Sequence, residues 1–296
     1  MNDPLQLWIK AMRAAQWEKA WDIAEASLRA RDPATRDDPT RPYHQRWVWD
    51  GKPFDGVDVL VRCYHGLGDT IQFARYLPAL ARRAASLTVE AQPALLPLLS
   101  GIPGIDRLVP FDPAQPLPPS ACDLEITELD LALRIPPPAV AAPYLKAPRA
   151  IVPKGTIALC HTSGGWDAER DIAPEHFAGL CALRPCITLV TQPTTLPVRN
   201  PGGCPMDMEI TAALVAAADL VITVDTMIAH LAGALGKPVW VLLKHEPDWR
   251  WSPKSRTSPW YPGARLYTQP EQGAWEPVIQ AVERDLAPGT GQFMKR

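Results

Sequence analysis

Residues 220–243 read LVITVDTMIAHLAGALGKPVWVLL. Leu220–Val224 is a short continuous apolar run, Asp225 and Thr226 form a polar corner, Thr226–Leu235 has helical character, and Pro238–Leu243 is a second apolar run. A strand, a helix and a second strand in this order predict a parallel crossover unit. At such a corner the backbone N–H groups of the first helical turn point outward, and with the helix dipole they form a site for phosphate or pyrophosphate. A nucleotide-like ligand at the carboxyl end of a strand is therefore expected. Upstream, Val57–Cys63 runs into Tyr64-His65-Gly66-Leu67-Gly68-Asp69-Thr70 in the same way. Two such corners in separate halves predict two α/β lobes facing one cleft.

The 296 residues suffice for two domains with cores of their own. A balance of 30 basic against 32 acidic residues, with no long like-charge run, argues against a nucleic-acid partner. The opening MNDPLQLWIKAMRAA is interrupted by Lys10 and Arg13, and no stretch approaches the ~18 apolar residues of a membrane span, so a cytoplasmic location is expected. The six cysteines show neither a metal-ligand spacing nor the framework of a small secreted domain, and they read as reduced thiols. Prolines concentrate in 111–119, 135–143 and 193–205, and the second cluster is read as the domain boundary. The predicted division is a helical lead-in over 1–45, an N-terminal domain over 46–145 and a C-terminal domain over 146–296.

Apolar positions from Leu5 to Leu28 recur at helical spacing and predict one or two amphipathic helices. The first domain then alternates: a strand at 57–63, a helix over 70–85, a strand at 87–90, a helix at 93–99, and strands near 107–111 and 122–126. In the second domain strands are expected at 156–160, 187–191, 220–224 and 238–243. Helices are expected at 174–183, 210–218 and 226–235, with a last one over 275–286. This rhythm implies a mostly parallel sheet in each domain, with ligands outside the carboxyl ends of the strands.

Gly66-Leu67-Gly68-Asp69, with Glu90 about 20 residues on, invites a dinucleotide-dependent oxidoreductase. Against that, Ile71 occupies the third glycine position and Asp69 would set a carboxylate beside a pyrophosphate. Asp69 has two other uses, a helix cap or a general base that takes a proton from an attacking hydroxyl, and the local sequence favours the cap. Thr162, Ser163 and the glycines after them, with Arg170 beyond, suit an anion-binding loop or a plain surface loop. Asp225, Thr226 and His230 set a carboxylate, a hydroxyl and an imidazole at one end of a helix; a core role for His230 would still require polar partners. No Asp-x-Asp metal motif is present.

Together these stretches resemble the heptosyltransferase-like glycosyltransferases of family 9, particularly the branch often fused to tetratricopeptide repeats. The resemblance covers most of residues 45–285. Its specific parts are the run Gly66 through Pro78, the run Val224 through Trp240, and the tail Asp248-Trp249-Arg250-Trp251 with Ser258-Pro259-Trp260-Tyr261-Pro262. It implies a GT-B architecture of two Rossmann-like, doubly wound domains, and transfer of a sugar, with inversion and without a metal or other cofactor, from a nucleotide diphosphate donor to a hydroxyl. Asp69 is then the implied catalytic base, with Gly66 and Gly68 in the acceptor loop. Thr162, Ser163, Arg170, Asp225, Thr226, Met227 and His230 are the implied donor contacts. Met227 stands where heptosyltransferases usually carry glycine, and Arg170 where lysine is common. The acceptor is expected to be a glycan, a lipid-linked glycan or a protein, with residues 1–45 available for protein docking. The alternative is a catalytically silent nucleotide-sugar-binding or scaffold protein of the same fold.

Overall fold

The computed structural model describes residues 3–287. The chain forms two units. Unit 1 runs to Ala147 and includes Ala234–Gly236 and Pro259–Tyr261; unit 2 comprises Pro148–Gly233, Lys237–Ser258 and the chain from Pro262 onward.

Unit 1 holds a four-stranded sheet of β1 (Asp58–Arg62), β2 (Ser86–Ala91), β3 (Arg107–Pro110) and β4 (Cys122–Glu125), in the order β3-β2-β1-β4. All pairings are parallel, with Val61 opposite both Val89 and Leu124. The apolar side chains of β1 and β2 are buried, as expected of central strands covered on both faces. The helix expected over 70–85 is instead broken into Leu67–Phe73, a 3-10 turn Ala74–Tyr76 and Leu77–Ala81. Pro78 lacks an N–H and sits in the first turn of the second piece, where that loss is harmless, and the tighter turn before it absorbs the interruption.

The break brings Arg75 inward. Its guanidinium is 2% exposed and donates to the carbonyls of Gln72 and Trp260, both at 2.9 Å, and to the Tyr144 hydroxyl at 3.3 Å. The rings of Tyr261 and Tyr144 lie 4.8 and 4.9 Å from it. Two motifs nearly two hundred residues apart, Phe73-Ala74-Arg75-Tyr76 and Trp260-Tyr261, thus meet at one buried cation. The N-terminal residues form two helices, Pro4–Arg13, capped by Asp3, and Trp17–Arg29. The second docks through Trp21, whose indole N–H donates to Asp130 at 3.1 Å, and through Arg134, which reaches Glu18, Asp22 and Glu25.

Unit 2 holds β5 (Ile157–Cys160), β6 (Cys186–Thr188), β7 (Leu220–Val224), β8 (Val239–Leu243) and β9 (Ala264–Thr268), in the order β6-β5-β7-β8-β9 and parallel throughout. Strand β9 was not anticipated; its Arg265 and Thr268 are only half-buried, so the segment lacks the unbroken apolar run that marks β7 and β8. Glu276–Leu286 packs through Val278, Ile279 and Val282 on a core that includes Leu159, Phe177, Ile222 and Leu242. The six cysteines carry free thiols, and all but Cys181 are buried.

Candidate functional site

In a parallel sheet whose chain starts in the middle and builds outward both ways, the loops leaving the two strands at the reversal diverge and open a crevice. In unit 2 that reversal lies between β5 and β7. Thr162, Ser163 and Arg170 follow β5; Asp225, Thr226, Met227 and His230 follow β7. The fold therefore collects all seven expected donor contacts at one end of one sheet.

The loop after β5 is held by its own polar groups. Asp171 accepts from the Thr162 hydroxyl at 3.0 Å and the Ser163 N–H at 2.6 Å, while the Ser163 hydroxyl donates to the Asp167 carbonyl at 2.9 Å. Both hydroxyl protons are thus engaged within the loop, and the two hydroxyl oxygens in turn accept from the N–H groups of Gly164 and Asp167, each at 3.2 Å. Arg170 is no solvated surface cation: its side chain is 18% exposed, with one N–H on the Asp225 carbonyl at 3.0 Å and another 3.3 Å from Asp167. It also lies 3.4 Å from the Asp225 carboxylate. Lys244, at the end of β8, donates to Asp167 and Glu169, both at 2.8 Å.

Burial pushes the Asp225 carboxyl above its ordinary range and Asp248 adds to this, while Arg170, the Trp251 indole and Arg250 pull the other way. His230 is 5% exposed and stacks on Trp251, ring centres 5.7 Å apart and planes 20° apart. Trp251 was left without a role by the sequence; here it backs both His230 and Asp225. Thr226 and Met227 are half-buried at the start of the helix Met227–Ala234. Two cavities flank this corner. One of about 540 Å³ lies beyond β5 and β6, lined by His161, Thr162, Asp171, Val190 and Gln192 among others. The other, of about 360 Å³, lies beyond β8 and β9 against Glu169, Lys244, His245, Gln269 and Trp275.

In unit 1 the reversal lies between β1 and β4. Asp69 is three residues into its helix rather than at the cap: Gly66 takes the cap position and donates its N–H to the Asp69 carboxylate at 3.1 Å. Gly66 is tightly fitted, since a Cβ there would stand 3.3 Å from that carboxylate, while Gly68 lies inside the first turn. Sequence reading missed the partner across the reversal. Glu125 ends β4, and its carboxylate lies 2.9 Å from His65 Nδ1 and 3.3 Å from the Tyr64 N–H. Beneath them Arg62, 1% exposed, pairs with Glu90 at 3.1 Å and Asp123 at 3.0 Å. Glu90, weighed as a ribose-binding acid, is thereby tied into a buried ion cluster and also accepts from the Leu117 N–H at 2.7 Å.

Two parallel-sheet α/β domains, each with polar loops at its chain reversal, define the GT-B class of fold. Within it, residues 204–273 match the model of glycosyltransferase family 9 (heptosyltransferase), which makes the resemblance to that family a finding over this stretch. Solved structures of similar fold include a family 9 glycosyl transferase from Veillonella parvula, at 14% identity and TM-score 0.53 over 79% of this chain and 98% of that one. The E. coli ADP-heptose lps heptosyltransferase II matches at 15% identity and TM-score 0.53, over 77% of this chain and 97% of that chain. E. coli heptosyltransferase WaaC with ADP matches at 12% and 0.52, over 78% and 100%. Among curated proteins, Protein FlbA of Caulobacter vibrioides is 36% identical over 80 residues, 27% of this chain and only 13% of FlbA's length. Among the described residues no group of three or more His, Cys, Asp and Glu side chains is arranged to hold a metal ion, and no helix is long and apolar enough to cross a membrane.

Proposed function

We propose that the protein is a cytoplasmic, inverting glycosyltransferase that moves a sugar from a nucleotide diphosphate donor to a hydroxyl acceptor without a metal ion. The observation that carries the reading is the gathering of Thr162, Ser163, Arg170, Asp225 and the helix start at Met227 around one chain reversal, the last two inside the stretch matched to the family 9 model. Arg170 is held by hydrogen bonds before any ligand arrives, so its remaining N–H groups meet a diphosphate with little ordering cost. With the N–H groups of the first turn of Met227–Ala234 it stabilises the charge that develops on the departing diphosphate.

On the acceptor side Asp69 takes the hydroxyl proton. One carboxylate oxygen accepts from the Gly66 N–H, which orients the group at the start of its helix. Attack from the face opposite the diphosphate inverts the anomeric carbon. ADP-heptose is the donor class suggested by the names of the similar structures, and the acceptor is a glycan, a lipid-linked glycan or a protein.

The test is a transfer and donor-hydrolysis screen across nucleotide sugars, run in excess chelator. Wild-type protein should turn over at least one donor, unaffected by the chelator, and Asp69→Asn should bind that donor normally while losing about 100-fold or more in rate. Strict dependence on a divalent ion would remove the metal-free mechanism. Near-wild-type turnover in the variant would return Asp69 to helix capping, and binding without any turnover would favour the silent scaffold.

A further inference from the structure

The geometry points to a site for a single sugar ring, that of the donor, in the cavity of about 360 Å³ beyond β8 and β9. The inference rests on the transferase reading above and deepens it, by giving the transferred group to residues that reading leaves unused. Gln269, which follows β9, carries the argument. It lines the cavity, is 3% exposed, and accepts on Oε1 from the N–H groups of His245 at 3.1 Å and Gly273 at 3.3 Å. Those two donors fix the amide, because turning it over would set its NH2 group against both of them. Nε2 then has no hydrogen-bond partner among the described residues. A buried amide left in that state is costly, and an oxygen brought by a ligand relieves the cost.

The remaining walls suit a polyol. Glu169 accepts from Lys244 and from the Gln272 amide, each at 2.8 Å, so a carboxylate, an ammonium and a second amide are in place before anything binds. Hydroxyl groups satisfy such a set because each both donates and accepts, whereas a phosphate there would meet the carboxylates of Glu169 and Glu246. Trp275, seated on the unit 2 core, adds an aromatic ring for the C–H face of a sugar. The volume lies at the small end of the range of about 300–1,000 Å³ for ligand sites, enough for one ring and too little for a whole nucleotide sugar. One carboxylate ties the cavity to the diphosphate corner, since Asp167 accepts from Lys244 at 2.8 Å and lies 3.3 Å from Arg170. The sugar is joined directly to the terminal phosphate, so a diphosphate on Arg170 brings it beside Lys244 and Glu169.

The experiment combines calorimetry with hydrogen exchange on the full chain, using ADP, UDP and GDP and, beside them, ADP-heptose, UDP-glucose and GDP-mannose. Wild type should bind at least one nucleotide sugar, and that ligand, unlike its bare diphosphate, should slow exchange in segment 268–275. Gln269→Glu keeps an acceptor for the N–H groups of His245 and Gly273 but loses the donor; Gln272→Ala releases Glu169 and, at an exposed position, keeps the test open if the first variant does not fold. Each should weaken the nucleotide sugar by about tenfold or more and leave the bare diphosphate within about twofold of wild type. Equal loss for both ligands gives the cavity to the fold or to the phosphate site, and protection by the bare diphosphate gives it to the nucleoside. No change in either variant leaves the amide to an ordered water. Each of these results overturns the inference with the transferase reading intact, whereas wild-type protein that binds none of the six compounds overturns both.

Discussion

Replacing Glu128 by glutamine should make unit 1 less sensitive to alkaline pH. Glu128 closes the turn after β4, and one of its oxygens accepts from the N–H of Glu125 at 2.8 Å and of Trp49 at 3.1 Å. Burial pushes its carboxyl up from an ordinary 4.5 to about 7, the nearby Glu125 charge adds to this, and the two N–H groups and Arg31 only partly offset it. The folded state therefore holds a proton that the unfolded chain releases. Stability from this group is fully present below pH 4.5 and is lost as pH rises through 7. The gap corresponds to a ceiling of about 3 kcal/mol, and part of the residue stays open to solvent, so about 1–3 kcal/mol is the working range. Glutamine keeps an oxygen for both N–H groups and has no proton to lose. Urea unfolding between pH 5 and 8, followed by hydrogen exchange in segment 122–133, should show wild type losing this stability and Glu128→Gln holding it. Parallel pH profiles for the two proteins would refute the assignment.

Arg75→Met should destabilise unit 1 by about 2–4 kcal/mol, since it strands the carbonyls of Gln72 and Trp260 in a buried setting, and Arg75→Lys should rescue little because one ammonium cannot reach three acceptors in a plane; thermal unfolding of the three proteins checks both. Arg170→Met should weaken nucleotide diphosphate binding by about 10- to 100-fold with the fold intact, as read by calorimetry and circular dichroism. Trp251→Ala should lower stability and donor affinity together, because it removes the ring stacked behind His230 and the indole that helps hold the Asp225 charge; a change in only one of the two measurements would count against that shared support.

The elements that were legible in the sequence are those whose signal is local. The apolar runs of β7 and β8 and the polar corner between them declare a crossover without reference to the rest of the chain. Strand β9 escaped because the half-buried Arg265 and Thr268 interrupt and end its short apolar stretch. The break at Ala74–Tyr76 escaped because an apolar stripe continues across it, although Pro78 was a physical sign that the helix would restart there. Long-range polar pairs left no trace at all. Nothing in the neighbourhood of His65 announces Glu125, sixty residues on, and Arg75 gives no hint of Trp260, because such pairings are set by strand order rather than by any period along the chain.

Strand order also explains why the two corners, so alike in sequence, acquire different chemistry. The reversal in unit 2 presents Arg170 and Lys244, each anchored by acidic side chains at its back, together with the start of an eight-residue helix, so its outward groups favour an anion. The reversal in unit 1 buries Arg62 between Glu90 and Asp123 and carries Asp69 and the His65–Glu125 pair, whose carboxylates disfavour a phosphate there. A diphosphate set against that second corner would face two carboxylates. The asymmetry counts against a dinucleotide at Gly66-Leu67-Gly68, where the N–H that would have met a pyrophosphate already serves Asp69.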